Sequence, residues 1–273
     1  KYQVETDDAG RLPIVRYYNS FGAMPSISLG NNWRLGYDRR VMFDGHVSAM
    51  VTRPDGKALL FLLVSGAWVS ESDVNDRLTS MPGGGWQYYA AKGDDVEAYD
   101  GQGKLPSITS RSGEVTPFDY SDASTPPAIA PNAGMLIRVT GQFGHALNLS
   151  YNAQGRLISI GTPAGTSYNY VQDANGNLAS VTNPDGTTKT YAYAEAANSP
   201  APQNVWALTG INEENGARFA TYQYNAAGRA ISTEHAGGVN HFVVGTGSPV
   251  VTTDPLGTSR SYTLSSIFGV RYP

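Results

Sequence analysis

The chain has 273 residues, 15% of them charged, with a formal net charge of −4, no cysteine, 31 Gly, 16 Pro and 17 Tyr. Low charge with abundant aromatics excludes a disordered chain, and the lack of Cys excludes disulfides, thiolate metal sites and Cys nucleophiles. No Lys/Arg cluster offers a nucleic-acid footprint, and the longest apolar run, Ala58 to Val64, is far short of the roughly 20 residues of a membrane helix.

Taken in chain order, the first half reads as β-meanders. Asp44-Gly45 joins a strand at Arg40–Phe43 to one at His46–Thr52, and Pro54-Asp-Gly56 leads into Lys57–Val64. Strands at Trp86–Ala90, Val96–Tyr99, Lys104–Thr109 and Glu114–Tyr120 follow, separated by Gly-containing turns. Ser121 to Gly134 contains three prolines and is the expected linker or loop, dividing an entry module over 1–120 from a repeat sheet over 135–273. No stretch of ten residues carries a helical stripe with caps.

Four segments repeat. They are Tyr99-Asp-Gly-Gln-Gly-Lys-Leu-Pro-Ser-Ile108, Tyr151-Asn-Ala-Gln-Gly-Arg-Leu-Ile-Ser-Ile160, Gln172-Asp-Ala-Asn-Gly-Asn-Leu-Ala-Ser-Val181 and Tyr224-Asn-Ala-Ala-Gly-Arg-Ala-Ile-Ser-Thr233. A second turn type alternates with them: Arg53-Pro-Asp-Gly56, Thr162-Pro-Ala-Gly165, Asn183-Pro-Asp-Gly186 and Asp254-Pro-Leu-Gly257. Gly155 to Gly176, Pro163 to Pro184 and Tyr170 to Tyr191 are each 21 residues apart, and the register breaks at the insertion Ala196 to Asn204. Asn or Asp at the first turn position caps the turn with its side-chain oxygen, and Gly at the fourth accepts positive φ. Gly103, Gly155, Gly176, Gly186, Gly228 and Gly257 are therefore expected to be structural turn residues. Each unit encodes two short antiparallel strands. Alternation places Leu157, Ser159 and Gly161 on one face and Ile158 and Ile160 on the other.

The candidate chemical motifs are weak. His46, His145, His235 and His241 are scattered without zinc spacing. Asp173-x-Asn175-x-Asn177 begins like a calcium loop but has Leu178 where Gly is needed and Pro184 where Glu is needed. Asp94, Asp95 and Glu97 offer carboxylates beside Gly93 that read as a solvated turn rather than a glycosidase pair. Gly83-Gly-Gly85 lacks the Gly-Lys-Ser/Thr of a phosphate loop. No catalytic residue, metal site or cofactor is expected. The Tyr series (Tyr88, Tyr89, Tyr151, Tyr168, Tyr170, Tyr191, Tyr193, Tyr222, Tyr224) reads first as cross-strand packing, and second as a ladder for sugars or an exposed inner wall for cargo.

The Tyr-Asp/Asn-x-x-Gly-Arg-Leu units with their Pro-x-Gly turns resemble the YD repeats of Rhs proteins. Arg16-Tyr-Tyr-Asn-Ser20 and Gly30-Asn-Asn-Trp-Arg-Leu-Gly-Tyr-Asp38 resemble the entry module that precedes those repeats. The resemblance implies an all-β fold, antiparallel hairpin repeats in a curved, spirally wound sheet that is part of an Rhs/YD-type β-shell. It implies a non-catalytic shell segment of an exported polymorphic toxin, bacterial and secreted or at the cell surface, enclosing a C-terminal toxin or effector domain. A cell-surface or carbohydrate-binding module is the alternative. Partners would be the chain's own cargo domain or further repeats, a second copy through an open edge at Val250–Val270, or a glycan. Family shells end in a cleavage motif. Here Asp254-Pro-Leu-Gly257 is followed by Thr258 and reads as a repeat turn with no cleavage role, so the chain is expected to be a piece of a longer protein or a short member.

Overall fold

The computed structural model describes residues 1–8, 10–20, 28–200, 204–263, 265–267 and 270–272. Two compact units are present, one over Tyr2–Gln172 and one over Asp173–Pro273 with Lys1. Both are all-β and antiparallel. Among the described residues the only helical turns are the three-residue 3-10 turns at Gln142–Gly144 and Ala236–Gly238, and no helix is long and apolar enough to cross a membrane.

The first unit opens with a three-stranded sheet, β1 (Tyr2–Asp8), β2 (Ile14–Asn19) and β3 (Trp33–Leu35). A four-stranded meander follows, β4 (Arg40–Phe43), β5 (Ser48–Thr52), β6 (Ala58–Val64) and β7 (Ala67–Val69). Then nine strands run in chain order: β8 (Arg77–Ser80), β9 (Trp86–Ala90), β10 (Asp95–Tyr99), β11 (Ser107–Thr109), β12 (Val115–Tyr120), β13 (Leu136–Thr140), β14 (Ala146–Tyr151), β15 (Leu157–Gly161) and β16 (Ser167–Gln172). Each pairs with its neighbour in sequence. The expected strands from residue 40 to 120 all form, with ends shifted by up to three residues.

The second unit continues the pattern with β17 (Leu178–Thr182), β18 (Thr188–Tyr193), β19 (Leu208–Asn212), β20 (Arg218–Tyr224), β21 (Ala230–His235), β22 (Val239–Val244), β23 (Val250–Thr253) and β24 (Ser259–Tyr262). A short hairpin of β25 (Ser265–Ile267) and β26 (Val270–Tyr272) closes the chain. β22 is exposed along its whole length and β24 likewise. The expected edge at Val250–Val270 falls partly outside the described residues, at 264, 268 and 269.

Strict alternation is corrected by a recurrent bulge. Tyr151 pairs with Leu157 while Ser150 pairs with Ser159, so Ile158 is an extra residue. One extra residue reverses side-chain parity. Leu157 and Ile160 therefore share the buried side, both fully buried, whereas Ile158 is 37% exposed. Similar shifts leave Ile137, Thr209 and Ile231 as extra residues opposite Tyr120, Tyr193 and Tyr224.

The Pro-rich segment 121–134 is the β12–β13 connection and is tied down. Ser121 is buried; its Oγ donates to the Asn132 carbonyl at 2.6 Å and accepts from the Met135 amide at 2.9 Å. The Tyr151 amide donates to the Ile129 carbonyl at 2.9 Å, and the Tyr224 amide to that of Asn198 at 2.8 Å. Both inserted loops thus give an acceptor to an amide beside a bulge, where the ladder is interrupted.

Candidate functional site: the repeat turns and the Glu97 cluster

The repeat turn is built by one side chain. Asn152 Oδ1 accepts from the amides of Gln154 and Arg156 at 3.1 and 2.9 Å, while the Gly155 amide returns to the Asn152 carbonyl at 2.9 Å. Asp100, Asp173, Asn225 and Asp254 make the same pair of bonds in their own turns. Gly103, Gly155, Gly176, Gly186, Gly228 and Gly257 stand at φ of 74°, 74°, 77°, 86°, 71° and 81°, where a Cβ would be strained. Gly103 carries a further constraint, because a Cβ there would come within 1.7 Å of the Val41 carbonyl oxygen.

The residues before the turns at Asn152, Asp173 and Asn225, and those at the start of the two inserted loops, make a longer tie, whereas Tyr99 before the Asp100 turn donates to Glu97 instead. Tyr120, Tyr151, Tyr193 and Tyr224 donate their hydroxyls to the carbonyls of Leu105, Leu136, Leu178 and Leu208, at 3.1, 2.6, 2.8 and 2.9 Å. The span is 15 residues in the first three and 16 in the last. Gln172 fills the same place, its Nε2 donating to the Leu157 carbonyl at 3.0 Å, again across 15 residues. Burial pushes the Tyr120 phenol up to about 12 and raises that of Tyr151 further, so both remain donors at ordinary pH. Of the two readings of the Tyr series, packing describes six of the nine: Tyr88, Tyr151, Tyr170, Tyr191, Tyr222 and Tyr224 are buried rather than exposed on an inner wall, and Tyr89, Tyr168 and Tyr193 are half-buried.

A second cluster lies within the first unit. The fully buried Glu97 accepts from both nitrogens of the Arg53 fork at 2.7 and 2.9 Å, from Arg39, and from the Tyr99 hydroxyl at 2.6 Å. Arg53 belongs to the Arg53-Pro-Asp-Gly56 turn and stacks over Tyr88 with 4.8 Å to the ring centre. Burial pushes the Glu97 carboxyl up, but the Arg53 hydrogen bonds and the two guanidinium charges outweigh it and hold the carboxyl below its ordinary range. A carboxylate so held is an ion anchor and a poor proton donor. Its neighbours have other partners: Asp94 accepts from Tyr89 at 2.8 Å and faces the exposed Arg111.

The other singled-out residues do not converge. His46, His145, His235 and His241 are exposed, and no three His, Asp or Glu side chains gather for a metal among the described residues. The Asp173 carboxylate takes the Asn175 and Asn177 amides and the Asn177 Nδ2, and the buried Asn177 also donates to the Val205 carbonyl at 2.9 Å. That is a turn anchor. The Arg39–Arg53–Glu97 group was not apparent from sequence. Its one signal was that Glu97 shares the phase of Tyr99, an inward position of β10.

Two family models match the chain: one described as a domain of unknown function (DUF6531) over residues 3–61, and the RHS Repeat over residues 173–198. No curated protein matches. Among solved structures the chain is similar to the crystal structure of TcdB2-TccC3-Cdc42, at 14% identity over 92% of this chain and 15% of that one, TM-score 0.40. It is similar to TcdB2-TccC3 at 15% identity over 88% and 15%, TM-score 0.40. It is also similar to a Photorhabdus luminescens Tc holotoxin pore carrying a TccC3 mutation, at 15% identity over 92% and 15%, TM-score 0.38. The chain spans about 15% of the length of each of these. With the DUF6531 match on its opening strands and the RHS match on the turn, strands and insertion at 173–198, the chain is an Rhs/YD-repeat protein.

Proposed function

We propose that this chain is wall: a non-catalytic segment of a longer Rhs/YD-repeat shell that encloses a C-terminal toxin or effector domain and is exported from, or displayed by, a bacterium. The observation that carries the reading is the repeated tie from a Tyr or Gln side chain to the carbonyl of a Leu or its equivalent one hairpin earlier. A sheet that grows one hairpin at a time, each locked to the last, suits enclosure and needs no acid, base or metal. In this reading residues 1–120 are the entry module, 121–134 its boundary loop and 135–273 the repeat sheet, with further repeats or a second copy meeting the exposed β22 to β24 region. The test is to express the whole parent gene and treat the product with protease. A downstream domain that co-purifies and survives digestion supports enclosure; a freely digested one removes it.

A second reading, glycan binding, is favoured by one feature. A cavity of about 760 Å³ in the first unit is lined by Tyr2, Tyr17, Asp55, Lys57, Glu71 and Asp73, among others. Paired aromatic faces with mixed polar groups suit a sugar. Retention of one defined glycan on an array, lost on Tyr17→Ala, would promote this reading.

A further inference from the structure

A smaller cavity of about 340 Å³ in the first unit has an uneven charge lining. Arg34, Arg39, Arg40 and Lys104 line it, with Asp38 as the sole acid among the described residues that do. Tyr37, Tyr120 and Tyr151 complete much of the wall. This volume lies within the range of small-molecule sites, about 300–1,000 Å³.

The cations differ in what already holds them. Arg39 is committed to Glu97 and to the Gly36 carbonyl. Arg40 makes one long bond, 3.3 Å, to the Gln102 carbonyl. Arg34 is 6% exposed and borders the cavity, but its Nη1 lies on the Gly56 side, where a Cβ on Gly56 would come within 2.9 Å of it. Asp38 and Asp55 act on Arg34 electrostatically. Lys104 forms no ion pair among the described residues. Its ammonium lies 5.7 Å from the Tyr120 ring centre and in the space left by Gly134, where a Cβ would come within 2.5 Å. Asp38 turns to its own loop, accepting from the Leu35 amide and the Ser28 hydroxyl, both at 2.8 Å. The pocket therefore gathers more positive charge than its own acid neutralises.

We propose that this pocket binds a small molecule through an oxyanion, a phosphate or carboxylate group, with Lys104 and Arg40 as its donors. Cationic forks and ammonium groups around a partly enclosed cavity favour such a group by charge-assisted hydrogen bonding.

The test uses the 273-residue chain, with binding read by calorimetry at constant ionic strength. Inorganic phosphate is one arm and acetate the other, with chloride as the background ion. Saturable binding of either is expected, and the arm that saturates names the source of the oxyanion. Lys104→Gln and Arg40→Gln should each weaken it by about tenfold, the loss of one charge-assisted bond. Arg111→Gln, at an exposed ion pair elsewhere, should leave it unchanged. Thermal melts of each variant check that it still folds. Two outcomes overturn the proposal: neither anion saturates, or the three variants weaken binding equally.

Discussion

Gln172 donates its side-chain amide to the carbonyl of Leu157 at 3.0 Å, in the place where four other repeats use a tyrosine hydroxyl. The two side chains share little but a donor at similar reach. That identifies the function of the position as delivery of one hydrogen bond to the previous hairpin, with ring burial as an added benefit where the residue is Tyr.

Removing that donor should therefore cost a hydrogen bond. Tyr151→Phe keeps the ring and leaves the Leu136 carbonyl without its tie, and is expected to cost about 1 kcal/mol. Gln172→Tyr keeps the donor and should cost less than Gln172→Leu, which removes it. Urea denaturation of the three variants checks the order. A Tyr151→Phe protein as stable as its parent would show that the bond contributes nothing.

The turn glycines should separate into two classes. Gly186→Ala introduces a Cβ into open space at φ of 86°, so only backbone strain of about 1–2 kcal/mol is expected. Gly103→Ala has the same strain and drives its Cβ into the Val41 carbonyl, so the loss should exceed that of Gly186→Ala clearly. Paired thermal melts decide it; equal losses would contradict the close approach of Gly103 to β4.

The Glu97 cluster should make the first unit acid-sensitive. The folded carboxyl lies below its ordinary 4.5, so its contribution is fully present above that value and is lost as pH falls through the folded value. Glu97→Gln strands Arg39 and Arg53 beside an uncharged partner, at a cost of about 3 kcal/mol near neutral pH. The variant should also show a shallower decline below pH 4.5. A pH series of denaturation midpoints measures both; parallel curves for variant and parent would remove Glu97 from the account of acid sensitivity.

The exposed end of the repeat sheet should associate. Phe242, Val243 and Val244 of β22 are 38–43% exposed, and Leu256 is 92% exposed. Apolar surface of this kind favours a covering partner. Sedimentation velocity should show concentration-dependent growth that the double substitution Phe242→Ser, Val244→Ser reduces. A monomer at every concentration would contradict it.

Much of the fold was legible because its signals are local. Asn152 with Gly155 and Asn183-Pro with Gly186 each mark a turn, and the strands follow between them. The bulge at Ile158 was not legible: an extra residue leaves the apolar pattern nearly unchanged while reversing which side chains are buried. The Leu157–Gln172 tie was hidden for another reason. It joins a side chain to a backbone carbonyl, and a carbonyl has no sequence signature. The Glu97 ion cluster joins residues 44 and 58 positions apart, a distance over which one sequence shows no pairing.

The most direct measurement of the central claim is an electron cryomicroscopy reconstruction of the whole parent protein. The expected result is a hollow β-shell whose wall includes the hairpins from β8 to β24, with density for a separate domain inside. A reconstruction in which these hairpins form a free-standing module, with no enclosed space beside them, would contradict it.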